Sequence, residues 1–182
     1  VGAGGLILNG TSFGGPLDLT DARVQGRMSM SNASIASEQP FIATGLQAGA
    51  LFLDKVTFGG PVLLFSVHVE GLAWMDSANI AKGQPFNASL MQVGVAGLAL
   101  QRVTFGGPVR LRGAHVEGDI SLDAANVANG YGFDAQGLRI GVGGLLLRNA
   151  RFSGDVAFVA AHIGGQMDMT GARVMEKRTF DA

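Results

Sequence analysis

Three histidines, His68, His115 and His162, are all the histidines of the chain, and they recur at intervals of 47 residues. Regularly spaced imidazoles invite a metal centre or an acid–base site. Each sits in the same local setting, Val67-His68-Val69, Ala114-His115-Val116 and Ala161-His162-Ile163, with an apolar residue on either side. In a strand this alternation turns the flanking residues inward and the imidazole outward. If each interval holds two stacked coils, successive histidines stand about 9 to 10 Å apart, too far to share one metal. The same outward column places Gln92 and Arg139 between them, and Arg23 and Gln47 before them. His68, His115, His162 and Arg139 therefore read as a solvated polar ladder. The functional alternative is a surface for sugar, phosphate or a partner protein, and no residue is assigned as a metal ligand.

The elements that carry the histidines repeat with them. Phe13-Gly14-Gly15-Pro16, Phe58-Gly59-Gly60-Pro61, Phe105-Gly106-Gly107-Pro108 and Phe152-Ser153-Gly154-Asp155 open equivalent segments. A self-similar array of this length, with apolar residues at every second position, is the signature of a β-solenoid. Val109-x-Leu111, Ala114-x-Val116, Ile120-x-Leu122 and Ala125-x-Val127 are four inward pairs separated by polar or glycine-bearing corners. They define one coil with four short sides, and two coils make one repeat. The fold expected is an all-β parallel β-helix of about eight four-sided coils, each of about 22–25 residues. At about 4.8 Å per coil it is roughly 38 Å long.

Corner insertions at 36–40, 81–85 and 128–132 all follow the fourth side of every second coil. The five prolines, Pro16, Pro40, Pro61, Pro85 and Pro108, fall where a side begins and a missing N–H costs the ladder least. One solenoid over 1–174 is expected, followed by a tail or cap over 175–182 in which Phe180 plugs the end. Val1-Gly-Ala-Gly-Gly-Leu-Ile-Leu matches Val93-Gly-Val-Ala-Gly-Leu-Ala-Leu in mid-coil, which reads as a fragment of a longer chain.

The formal charge is −1, from 13 basic and 14 acidic residues, which gives no field for nucleic acid or an anionic membrane. There is no cysteine, which removes disulfides and thiolate metal sites and slightly favours a cytoplasmic setting. No apolar run reaches the roughly 18 residues of a membrane helix.

Sides such as Ala22-Arg-Val24, Ala33-Ser-Ile35, Ala114-His-Val116, Ala125-Asn-Val127, Ala161-His-Ile163 and Ala172-Arg-Val174 resemble the A-(D/N)-L-x-x motif of pentapeptide-repeat proteins. The resemblance implies a right-handed quadrilateral β-helix with a small inward residue followed by a large one. It is degenerate here, because first and third sides read Val-x-Leu and corner insertions break the period of five. Ile163-Gly-Gly-Gln-Met-Asp-Met-Thr-Gly-Ala-Arg-Val also resembles bacterial repeat proteins described as membrane-associated oxidoreductases. No redox motif accompanies it.

The third side reads outward as Ile7, Ser29, Phe52, Trp74, Ala99, Ser121, Leu146 and Asp168. Aligning Glu70-Gly71 with Glu117-Gly118 makes Ala73 and Met75 the inward pair and leaves Leu72 and Trp74 outside. Ile7, Phe52, Leu72, Trp74 and Leu146 are the candidate interaction stripe, since large apolar groups exposed in one row mark contact surfaces. The fourth side reads outward as Ser12, Ser34, Thr57, Asn79, Thr104, Asn126, Arg151 and Arg173, too mixed for an ice-binding ladder. Gly-rich corners such as Gly141-Val142-Gly143-Gly144 lead into strand, not the helix that a dinucleotide fingerprint requires. Acids are scattered over corners with no convergent pair, so no catalytic residue and no cofactor is assigned.

These readings converge on a non-catalytic solenoid scaffold that binds another macromolecule, a protein in the first instance, or pairs with its own kind through the ends or the stripe. Two alternatives come from other classes. A DNA-mimicking topoisomerase-protection protein is what the pentapeptide resemblance implies, and the near-neutral charge opposes it. A carbohydrate-binding or carbohydrate-active β-helix requires two carboxylates facing a groove.

Overall fold

The computed structural model describes residues 4–175 and 179–181. The opening tripeptide of the Val1 match, and positions 176–178 and 182 of the expected tail, lie outside the described residues. The chain is an all-β, four-walled solenoid of about eight coils, with every strand pairing parallel. Eight two-residue strands from Leu17–Asp18 to Phe180–Asp181 stack as wall one, and eight from Ser12–Phe13 to Arg173–Val174 stack as wall four. Walls two and three belong to one 13-stranded sheet, because Arg23–Ser29 and Gln47–Phe52 run unbroken around the corner between them. In later coils that corner breaks the strand, as between His115–Val116 and Ile120–Ser121.

Alternation produces the shaft. Met75 is 3% exposed, and its neighbour Trp74 is 36% exposed, so the third wall has the register read from the sequence. The inward residues of all four walls form one apolar cluster, from Val24 to Phe158. Alternate coils are filled differently, which explains a repeat of two coils. Phe41 meets Phe58, Phe86 meets Phe105 and Phe133 meets Phe152 across the shaft, at centroid separations of 5.5, 5.2 and 5.4 Å. The coil between the last two such pairs closes with Val109 and Val127 instead.

The Phe-Gly-Gly-Pro motif also has a steric reason. The inserted corner at 36–40 lies against Gly59 and Gly60, where a Cβ would strike the backbone carbonyls of Ala36 and Gln39. The same relation holds between Gly106, Gly107 and the corner at 81–85. Proline then starts wall one. Its carbonyl enters the ladder, accepting from Leu17, Phe41, Val62 and Phe86 through Pro40, Pro61, Pro85 and Pro108, while its absent N–H is not needed there.

Phe180–Asp181 pairs in parallel with Val156–Ala157, and the Phe180 ring lies 5.8 Å from that of Phe158. Phe180 therefore continues wall one by a rung, opposite the inward Val156 and with its ring against the buried Phe158.

Candidate functional site

Wall three holds the outward column Ile7, Ser29, Phe52, Trp74, Ala99, Ser121, Leu146 and Asp168 in unbroken register. The structure divides the candidate stripe. Phe52 and Trp74 are Cα partners on neighbouring rungs, and the half-buried Leu72 lies two residues before Trp74, at the corner that opens wall three. Arg27 extends its guanidinium over the Phe52 ring, 5.5 Å from the centroid, which makes one edge of the patch cationic. Ile7 is 48% exposed but stands apart, because Ser29 between it and Phe52 is buried, its hydroxyl donating to Asn9 Oδ1 at 2.6 Å. Leu146 is half-buried and separated from Trp74 by Ala99 and Ser121, both buried.

Wall two carries the polar ladder as read, with Arg23, Gln47, His68, Gln92, His115, Arg139 and His162 in register. The column does not stand on a flat surface. At the corner into wall three, glutamate and glycine alternate with the coils, as Glu70, Gly94, Glu117 and Gly141. Glycine is required at Gly94, where a Cβ would collide with the Glu70 carbonyl of the coil before. The missing side chain at Gly94 leaves a notch between Glu70 and Glu117. The result is a trough of about 380 Å³ bounded by His68, Glu70, Gln92, His115 and Glu117 and floored at Gly94. A second depression of about 250 Å³ continues it past Gln47 and Gly49 to Arg23. His115 Nε2 lies 2.7 Å from Glu117 Oε1. Sequence reasoning missed Glu70 and Glu117 because it weighed the corner aspartates for a convergent pair and used the two glutamates only to set the register of wall three. The recurrent Glu-Gly dipeptide two residues after the histidine was the available signal.

The corner between walls three and four is a polar ladder that locks the coils together. Asp76 is buried, and its Oδ2 receives Arg102 at 2.5 Å and the Ser77 hydroxyl at 3.2 Å. Its Oδ1 is buried with no hydrogen-bond donor among the described residues. Further along, Arg148 donates to Asp123 and lies 4.0 Å from Asp168. The Asp123 hydrogen bond, then its charge, raises the Arg148 pKa above its ordinary value. The hydroxyl and backbone N–H of Thr170 hold the Asp168 carboxyl below the usual carboxylate range, with Arg148 adding a smaller pull. Thr20 does the same for Asp18 on wall one. Among the described residues no three or more His, Cys, Asp or Glu gather as a metal site, and no helix is long and apolar enough to cross a membrane.

No protein-family model matches the chain, and comparison with curated proteins and with solved structures returns no match.

Proposed function

We propose that this chain is a non-catalytic rod whose third wall docks another protein, with Phe52, Leu72 and Trp74 as the anchor. The observation that carries this is the in-register pair Phe52 and Trp74, both outward on adjacent rungs, beside Leu72 and under a cationic edge supplied by Arg27. Aromatic residues and arginine clustered at the centre of a surface are the composition of an interaction hot spot. A wall two residues wide offers less than the roughly 800 Å² per partner of a standard interface, so the partner must also wrap over a corner. Val95, 76% exposed on the corner beside wall three, extends the apolar surface in that direction. Trp74→Ala and Phe52→Ala are expected to leave the fold intact and to abolish self-association in sedimentation and capture of a cross-linked partner. Unchanged association in both variants overturns the reading.

The same proposal treats the chain as a degenerate relative of pentapeptide-repeat proteins. In its support, walls two and four bury small-then-large pairs such as Ala33 with Ile35, Ala114 with Val116 and Ala125 with Val127. The DNA-mimic reading is weaker, since Asp76, Asp123, Asp134 and Asp168 already face arginines.

A second reading is favoured by the trough on wall two. Glu70 and Glu117 stand two rungs apart, about 9.6 Å by strand spacing, along a groove edged by imidazole and amide groups. Two carboxylates beside such a groove support a carbohydrate ligand. Calorimetry against a panel of neutral oligosaccharides tests it, with Gln92→Ala and Glu70→Gln expected to remove any binding found. Absence of heat across the panel discards the reading.

A further inference from the structure

Among the described strand pairs, side chains of like fixed charge are kept out of register, with one exception. Arg110 stands opposite Asp134, Arg27 opposite Ala50 and Asp168 opposite Leu146. On wall four, Arg151 and Arg173 are Cα partners on adjacent rungs, both pointing outward and both exposed. Like charges directly opposite one another destabilise a sheet. Arg102, Arg112 and Arg148 are compensated by Asp76, Asp134 and Asp123, and Arg110 and Arg139, which have no ion pair among the described residues, have no second arginine opposite them. Neither Arg151 nor Arg173 has an ion-pair or hydrogen-bond partner among the described residues. The pair lines an open depression of about 490 Å³, with Asn126 on the rung before, Ser153 beside it and Met175 at its far edge. The Ser153 hydroxyl is already committed, donating to the Val127 carbonyl at 2.7 Å and accepting from the Gly130 N–H at 2.8 Å. Among the described residues, the uncommitted donors lining the depression are therefore two guanidinium groups and the Asn126 amide.

We propose that Arg151 and Arg173, with Asn126, form a binding site for a phosphate monoester dianion. Two arginines borne on strands about 4.8 Å apart can both reach one doubly charged, three-oxygen acceptor. Such a ligand turns a like-charge repulsion into a bridged contact, where a single carboxylate compensates only half the charge. One pair of arginines offers no track along a nucleic-acid backbone, so the ligand is a terminal phosphate, carried either by a small soluble molecule or by a lipid headgroup. This site lies on wall four and is independent of the protein-docking reading on wall three.

The test follows the arginine Nε–H resonances by NMR during titration with inorganic phosphate and with glycerol phosphate, against chloride at matched ionic strength. The expected result is a saturable shift at Arg151 and Arg173 alone, with affinity about tenfold weaker in Arg173→Gln and in Arg151→Gln. Without phosphate, at low salt, each of these variants unfolds at a higher temperature than the parent, which shows that it folds. Co-sedimentation with phosphatidylcholine vesicles containing phosphatidic acid separates the sources. Retention that is lost in Arg173→Gln assigns the lipid headgroup, and binding of the soluble probes alone assigns a soluble monoester. Shifts that do not saturate, that appear equally at Arg110 and Arg139, that chloride reproduces, or that survive both substitutions overturn the proposal.

Discussion

Walls two and three are halves of one sheet, built on the same backbone, yet they present opposite surfaces. Inward, the two are alike: Val116 and Ile140 on one, Ile120 and Leu145 on the other, all fully buried. Outward, wall two runs polar from Arg23 to His162, while wall three gathers Phe52, Leu72 and Trp74 and then returns to Ala99 and Ser121. The ladder bonds are backbone bonds, so they hold either surface equally well. Stacking thus constrains one residue in two, and the other is free to carry function.

The comparison breaks most sharply at the inward positions. Ile120→Ala removes a fully buried side chain of wall three and should cost about 4 kcal/mol, read from the denaturant midpoint. Ser121→Ala, one residue on, should cost a small fraction of that. A smaller loss is expected where the walls join: Gly94→Ala drives a Cβ into the Glu70 carbonyl and should cost about 2 kcal/mol, whereas Gly4→Ala, with open space around it, should be near neutral. At the corner that ends wall three, Arg102→Ala strands the buried Asp76 carboxylate. Because Arg102 is itself 61% exposed, the cost should be about 1 kcal/mol, and adding Asp76→Ala should recover part of it. His115→Ala on wall two should change stability by less than about 0.5 kcal/mol, since the side chain is 44% exposed and its contact with Glu117 lies at the surface. Equal losses at Ile120 and His115 would erase the distinction between inward and outward columns.

The smallest effect is a pH dependence at the far end of wall three. Thr170 lowers the Asp168 pKa in the folded chain, so this group adds stability above the ordinary carboxylate range and loses it as pH falls through the folded value. Asp168→Asn should flatten that acid-side decline, seen in melting temperatures taken from about pH 6 to about pH 3. A decline identical to the parent's would remove the assigned role of Thr170.

The four walls, the two-coil repeat and the register at Trp74 and Met75 were legible in the sequence because alternation along a strand is a local property. The proline positions and the outward columns followed from the same count. The divided stripe was not legible. Counting placed Ile7 and Leu146 in line with Phe52 and Trp74, but a column does not reveal that Ser29 is covered by hydrogen bonds to its neighbours. The trough was hidden for a related reason, since Glu70 and Glu117 are 47 residues apart and meet only across a glycine notch. The strand pairing of Phe180 was not legible either, because a lone aromatic in a tail has no repeat to fix its place; the structure sets it on the rung after Val156.

Residue order alone determined the coil, since apolar alternation and steric punctuation by Gly and Pro act over a few neighbouring residues. Which side chains share a surface was decided only when the coils stacked. Phe52 beside Trp74, Glu70 and Glu117 on either side of a notch, and Arg151 against Arg173 are each juxtapositions of residues 22 to 47 positions apart. The physical reason is that stacking brings distant residues within about 5 to 10 Å, and what meets there depends on corner lengths and neighbouring bulk that no single strand encodes.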